Sequence, residues 1–278
     1  MVFIRLLLRV VRTPLLVAVV VSVMLLVGQS RLIYFPRKYG SAESEAFVAG
    51  GGVVLAYDTD HGRQRAFFLP GPDPGGRLWL FCPGNAMLAL EVEDEAWHWD
   101  SGAGWLLIDY PGYGGNAGKP NPARIAANVT GAVQALAAHL GVSKQSVTGR
   151  LGAVGQSLGA AAALTAAESL GLQRVVLLSP FTTLTEVGRR TVGWPLCHLN
   201  LHRFDNRRSL STVAARGGRV WIVHGVDDAI VPIRMARELA ALAPAAVRLS
   251  EAEGVGHNDL WEMAQGELQR VFREARAP

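Results

Sequence analysis

Gly155-Gln156-Ser157-Leu158-Gly159 places a serine between glycines at the point where an apolar run, Leu151 to Val154, gives way to a long alanine-rich stretch. A buried strand that turns at a serine directly into a helix is the setting of a nucleophile elbow. Such a turn leaves no room for side chains two residues before and two after the serine, and glycine meets that requirement without steric conflict. With 31 glycines in 278 residues the five-residue pattern is weak by itself, so its meaning rests on the rest of the chain.

Two partners follow in order. Val220-Trp221-Ile222-Val223 reads as a buried parallel strand, and it runs into the carboxylate-bearing loop His224-Gly225-Val226-Asp227-Asp228-Ala229-Ile230-Val231-Pro232. A further strand, Val247 to Ser250, precedes Gly254-Val255-Gly256-His257-Asn258-Asp259, a glycine-loosened loop that carries a histidine. Serine, acid, histidine is the chain order that accompanies the elbow, whereas the two other well-known triads begin with histidine or with aspartate. Serine is a poor nucleophile at its own pKa, so Ser157 needs His257 to take its proton, and His257 needs a carboxylate to hold its ring. Asp227 and Asp228 both stand in the loop that supplies that carboxylate.

Seven stretches taken together resemble the α/β-hydrolase superfamily, and within it the small membrane-anchored serine hydrolases. They are Arg31-Leu32-Ile33-Tyr34-Phe35-Pro36, Pro83-Gly84-Asn85-Ala86, Asp109-Tyr110-Pro111-Gly112-Tyr113-Gly114, Gly155 to Gly159, Ser179-Pro180-Phe181-Thr182-Thr183-Leu184, His224 to Pro232, and Gly256-His257-Asn258-Asp259. They span nearly the whole chain and are jointly specific. The resemblance implies a Ser-Asp-His hydrolase of esters, thioesters or amides, and leaves the substrate open because one fold carries many chemistries. It implies Asp228 as the triad acid rather than Asp227, since the loop then has the form H-G-x-x-D-x-x-V-P. The catalytic set is thus Ser157, Asp228 and His257, with an oxyanion hole formed by the backbone N–H groups of Leu158 and Asn85. Many members carry His-Gly where this chain has Pro83-Gly84, so the bracing of that loop must differ here. The Asp109 to Gly114 stretch is expected to shape the cleft and His224 to be a structural hydrogen-bonding residue. His61, His98 and His139 are expected to face solvent.

The remaining pattern is consistent with that fold. Val53 to Tyr57 and Arg65 to Leu69 read as an opening antiparallel pair. Strands follow at Leu78 to Cys82, Trp105 to Ile108, Leu151 to Val154, Val175 to Leu178, Val220 to Val223 and Val247 to Leu249. Helices are predicted at about Leu88–Trp99, Pro122–Leu140, Leu158–Leu170, Arg234–Leu242 and Leu260–Arg276. Eight strands alternating with helices predict a mainly parallel sheet with the ligand at its carboxyl edge. Between the sixth and seventh strands, residues 182–216 interrupt the rhythm as a small cap. It holds Arg189, Arg190, Arg203, Arg207, Arg208 and Arg216 against Glu186 and Asp205, which is either a solvated basic face or a lid that meets anionic headgroups or substrates. No His/Cys/Asp/Glu cluster has metal-ligand spacing and no phosphate-binding glycine loop follows a strand, so neither a metal nor a cofactor is expected.

At 50% hydrophobic the chain can bury one sizeable core. Its net charge of +4 would raise the question of nucleic acid, but six of its 27 basic side chains lie in residues 1–38, where there is no acid. Residues 39–278 then hold 21 basic against 23 acidic groups, so the catalytic body is near neutral, the basicity belongs to the N-terminus and no nucleic-acid partner is expected. From Pro14 to Gly28 the chain is apolar except for Ser22. This is short for a membrane span and would suit a signal peptide, with Gly28-Gln29-Ser30 as a cleavage region. A retained anchor extending from Arg12 to Ile33 is the favoured reading, because Arg31 to Pro36 follows an anchor in the proteins the chain resembles and Tyr34 and Phe35 suit a membrane interface. The division is therefore 1–36 as signal anchor and juxtamembrane segment and 37–278 as hydrolase domain. That domain is expected outside the cytoplasm, as part of a single-pass membrane protein or as a secreted or periplasmic one after cleavage. Cys82 and Cys197 are expected as free thiols. The partners expected are a small-molecule or lipid acyl substrate and the membrane. An aminopeptidase or haloperoxidase-type activity uses the same triad, and a non-catalytic binding module would keep the same fold.

Overall fold

The computed structural model describes residues 2–40 and 42–276. Its centre is one eight-stranded sheet in the order β1-β2-β4-β3-β5-β6-β7-β8. The strands are β1 (Val53–Thr59), β2 (Gly62–Leu69), β3 (Leu78–Cys82), β4 (Gly104–Ile108), β5 (Leu151–Gln156), β6 (Arg174–Leu178), β7 (Arg219–Gly225) and β8 (Val247–Ala252). β2 runs antiparallel to both β1 and β4, and every other pairing is parallel. Every residue of β3, β4 and β5 is buried, which is why these segments read as continuous apolar runs rather than as alternating ones. The chain goes from β3 to β4 on one side and then crosses to β5 on the other, so the sheet reverses its winding at β3. Ligands in open α/β sheets bind beyond the carboxyl ends of the strands at such a reversal.

The helices are α1 (Val2–Ile33), α2 (Glu43–Ala49), α3 (Glu93–Asp100), α4 (Pro122–His139), α5 (Lys144–Thr148), α6 (Leu158–Leu170), α7 (Leu184–Val192), α8 (Asn206–Ala215), α9 (Ile233–Leu242), α10 (Leu260–Met263) and α11 (Gln265–Arg276). They cover both faces of the sheet. Leu78, Leu80 and Cys82 of β3 face the cluster built on α4, α6, α8 and α9. Trp79 and Phe81 face the opposite cluster, with Trp99 of α3 and Phe272 of α11. This is the two-residue period of a strand buried on both sides. The second cluster is aromatic, with Trp99 and Phe272 stacked at 5.4 Å and Trp79 edge-on to Phe272 at 5.3 Å.

Several expectations are refined. α2 and α5 were not foreseen; each is a short segment with one buried side chain, Phe47 and Val147. The single helix expected over Leu88–Trp99 is a 3-10 turn, Ala89–Val92, followed by α3. The one expected over Leu260–Arg276 breaks where Ala264 leaves helical geometry (φ −110°, ψ 27°), and the break keeps Leu260, Leu268 and Phe272 in the same cluster. Residues 182–216 divide into two parts. α8 buries Leu210 and Val213 in the core and is the crossover helix that a parallel β6-to-β7 connection requires. The part lying over the carboxyl edge is α7 with the turn Leu196–Leu199. The N-terminal helix is continuous through Ile33, well beyond the apolar stretch that ends at Gly28.

Candidate active site

The site is built at the ends of β3, β5, β7 and β8. Ser157 sits between β5 and α6 at φ 53°, ψ −113°, outside the conformations that non-glycine residues ordinarily adopt. The strain is held by close packing. A Cβ on Gly155 would lie 2.0 Å from the carbonyl oxygen of Gly159, and one on Gly159 would lie 2.0 Å from that of Cys82 and 2.5 Å from that of Pro83. Both glycines of the motif are therefore required by backbone contact, and Ser157 N–H donates to Leu178 O at 2.8 Å, tying the elbow to β6.

Asp228, Ser157 and His257 come together. His257 Nδ1 lies 2.6 Å from Asp228 Oδ2, and its Nε2 lies 3.0 Å from Ser157 Oγ. A carboxylate only accepts, so Nδ1 carries the proton and Nε2 is left bare to receive the serine's. Asp228 is buried and its other oxygen, Oδ1, accepts from the amides of Ile230 and Val231 at 2.9 and 2.7 Å. Burial pushes this carboxyl up, but hydrogen bonds from His224 and His257, the charge of His257 and the Val231 amide together outweigh it. The group is held below the usual carboxylate range. His224 Nε2 is 2.7 Å from Val231 O and 3.3 Å from Asp228 Oδ2; both are acceptors, so Nε2 carries hydrogen and the ring supports the acid loop. Asp227, by contrast, is exposed. Gly225 allows the two loops to meet, since a Cβ there would lie 2.2 Å from Val255 O in the segment leading to His257.

Asn85 and Leu158 line the same cavity as Ser157 and His257. Among the described residues neither backbone N–H has an acceptor in the protein, which leaves both available to an oxyanion. The bracing that replaces His-Gly is the Asn85 side chain. Its Oδ1 accepts from Tyr113 Oη at 2.8 Å and from the amides of Phe35 and Ala86 at 3.1 Å, and its Nδ2 donates to Ile33 O at 2.6 Å. Tyr110 Oη also donates to Pro83 O at 2.6 Å. The Asp109 to Gly114 stretch thus shapes the cleft by holding the neighbouring loop, as expected. Asp109 underlies it, accepting from the Ala89 amide at 2.9 Å, and burial pushes its carboxyl up to about 6.

The cavity has a volume of about 400 Å³, within the range of about 300–1,000 Å³ typical of small-molecule sites. Its walls are mostly aliphatic, and no Lys, Arg, Asp or Glu is among the described residues lining it. The basic lid therefore does not reach the site. Arg207 is paired with Glu186 at 2.7 Å and Glu238 at 2.5 Å, Arg216 donates to Glu168 O, and Arg189, Arg203 and Arg208 are exposed. Cys82 and Cys197 are free and buried. His98 and His139 are exposed and His61 half-exposed. Among the described residues no cluster is suited to a metal.

Sequence reasoning missed the residues that join α1 to the body. Gln29 is buried, and its Oε1 accepts from the Leu201 amide at 2.7 Å. The two ring nitrogens of His202 lie 3.3 Å from Ser30 Oγ and 3.1 Å from Tyr34 Oη, and burial lowers the pKa of that imidazole. Gln29 and Ser30 are polar interruptions at the end of an apolar run, which is the one signal that marked them.

No protein-family model matches the chain. It is 34% identical over 233 residues to the uncharacterized protein Rv2307c of Mycobacterium tuberculosis, spanning 83% of this chain and 81% of that one. It is 29% identical over 157 residues to the human alpha/beta hydrolase domain-containing protein 17C, covering 56% of this chain and 45% of the human protein. The structure of the Pyrococcus furiosus esterase Pf2001 superimposes with a TM-score of 0.67 at 15% identity, over 87% of this chain and 96% of that one. The chain belongs to the α/β-hydrolase superfamily, with esterases among its structural neighbours.

If the Asn85 side chain positions the oxyanion loop, Asn85→Ala should lower kcat about tenfold or more and leave KM for a small ester nearly unchanged. Steady-state kinetics on a short-chain ester check this, and a change confined to KM would contradict it.

Proposed function

We propose that this protein is a membrane-anchored serine hydrolase that cleaves acyl esters or thioesters through an acyl-enzyme on Ser157. The observation that carries the proposal is the continuous Asp228–His257–Ser157 relay at 2.6 and 3.0 Å, opening into a charge-free cavity beside two unused backbone donors. Ser157 Oγ attacks the acyl carbonyl as its proton passes to His257 Nε2, and the buried Asp228 carboxylate stabilises the resulting imidazolium. The N–H groups of Asn85 and Leu158 receive the oxyanion, the latter at the N-terminus of α6, where the helix dipole favours negative charge. His257 then returns the proton to the departing alcohol or thiol. Water, activated by the same histidine, releases the carboxylic acid and restores Ser157.

The lining favours an acyl substrate over an aminoacyl one, since among the described lining residues there is no carboxylate to pair with a free ammonium. The residues Arg12–Ile33 form a 22-residue apolar span, about 33 Å at 1.5 Å per residue, which matches a bilayer core of about 30 Å. Burial of Gln29 and Tyr34 against the body supports retention of that helix rather than its removal. A short arginine-bearing N-terminus is ordinarily left inside, so we place the hydrolase domain outside the cytoplasm.

A fluorophosphonate probe should label the wild-type protein on the peptide bearing Ser157. Ser157→Ala should lose about 10^4-fold or more in kcat, with the Ser157→Ala/His257→Ala double variant little worse. Asp228→Asn should lose far more activity than Asp227→Asn. Labelling elsewhere, or retention of most activity in Ser157→Ala, would overturn the mechanism. The anchor is tested separately: the mature protein should keep residues upstream of Pro14 and stay in the membrane pellet through a carbonate wash. A soluble protein beginning near Arg31 would replace the anchor with a cleaved signal peptide.

A further inference from the structure

α1 does more than end at the membrane surface, because its C-terminal part is a wall of the catalytic cavity. Leu25, Gln29, Leu32 and Ile33 line the same space as Ser157 and His257. Their spacing of three to four residues puts them on one helix face. The opposite face meets no protein, with Val23, Met24 and Val27 exposed, Val27 at 82%. The helix is fastened in this pose at its end by three separate polar contacts: Gln29 to the Leu201 amide, Ser30 and Tyr34 to His202, and Ile33 O to the Asn85 side chain. The last of these joins the helix directly to the loop bearing one oxyanion donor.

Length places this wall in the bilayer. Pro14 to Gly28, the stretch before the polar pins, covers only about 22 Å, well short of the roughly 30 Å of a hydrocarbon core. The 22-residue apolar span Arg12–Ile33 reaches full thickness and includes the residues lining the cavity. The surroundings fit that depth. Phe35 and Ile230 line the cavity and are more than half exposed, and Trp194 and Leu201 project from the cap at 71% and 65% exposure. Leu201 follows α1 closely, since its amide is bound by Gln29. A collar of large apolar side chains continuous with a membrane helix marks a surface that rests in the lipid interface.

We propose that α1 forms part of the acyl-binding site, and that long-chain acyl esters dissolved in the bilayer reach Ser157 laterally, between α1 and the cap, without crossing water. The proposal rests on the reading of Ser157 as the acyl-enzyme nucleophile. Within the site we assign the far end of the acyl chain to Leu25, eight residues and about 12 Å along the helix from the Ile33 end that is bonded to Asn85. A short acyl group at Ser157 would not extend to it, whereas a long one would.

The test uses the full chain in phosphatidylcholine vesicles, with p-nitrophenyl butyrate and p-nitrophenyl palmitate as substrates. Leu25→Trp should lower kcat/KM for palmitate about tenfold or more while leaving butyrate nearly unchanged. Val27→Trp, on the face turned away from the body, should leave both unchanged. Equal loss on the two esters, or no loss on palmitate, would overturn the role of α1 while leaving the serine mechanism intact. A wild-type protein that hydrolyses neither ester and is not labelled by a fluorophosphonate would overturn that mechanism, and the proposal with it. Labelling of Leu25→Trp at the wild-type rate shows that the fold is retained. If labelling is lost, Leu25→Ala takes its place: widening the wall should raise the preference for a branched long-chain ester over the linear one, and an unchanged preference would overturn the proposal.

Discussion

The backbone of Gly159 rests directly on the carbonyl groups of Cys82 and Pro83, leaving no room for even a methyl group between the start of α6 and the end of β3. That approach sets the position of two parts of the site at once. It fixes the elbow on which Ser157 is strained upward, and it brings the Pro83-Gly84-Asn85 loop beside the Leu158 amide. β3 and β5 are adjacent, parallel and wholly buried, so neither side of the contact has slack. The aromatic cluster beneath and the alanine-rich α6 above hold the sheet at this spacing, small side chains letting α6 sit close to the strands.

The acid end of the relay depends on a different constraint. Asp228 is buried, and a buried carboxylate is tolerated only when its lone pairs are taken up. Two backbone amides, His224 and His257 take them up, so the same hydrogen bonds that make the carboxylate admissible also fix the tautomer of His257. Removing the negative charge would leave His257 free to present the wrong nitrogen to Ser157.

Ser157, the acid-bearing loop and His257 were legible in the sequence because each lies where a strand ends, and strand ends are marked locally by apolar runs meeting glycines; the choice of Asp228 over Asp227 came from the family resemblance. Leu158–Leu170 was legible to the residue, bounded by the elbow and by Gly171 in a left-handed conformation at its end. The docking of α1 was not. It depends on Gln29, Ser30 and Tyr34 finding Leu201 and His202 some 170 residues later, a pairing that no local pattern encodes. The arginines between 182 and 216 were visible, but their pairing with Glu238 and the Glu168 carbonyl on neighbouring helices was not. An apparent basic lid thus became two arginines that tie helices together, Arg207 and Arg216, and exposed ones around them, all outside an uncharged cavity. Asn85 shows both sides: its place after the glycine was readable, while the role of its side chain in bracing the loop depends on Tyr113 and on the end of α1.

The most direct measurement of the central claim is intact and peptide mass spectrometry of the protein quenched by acid during the first turnovers of a p-nitrophenyl ester. The account predicts a transient mass increase equal to the acyl group, located on the peptide containing Ser157 and absent in Ser157→Ala. Hydrolysis that proceeds with a burst but places the acyl group on another residue would contradict it.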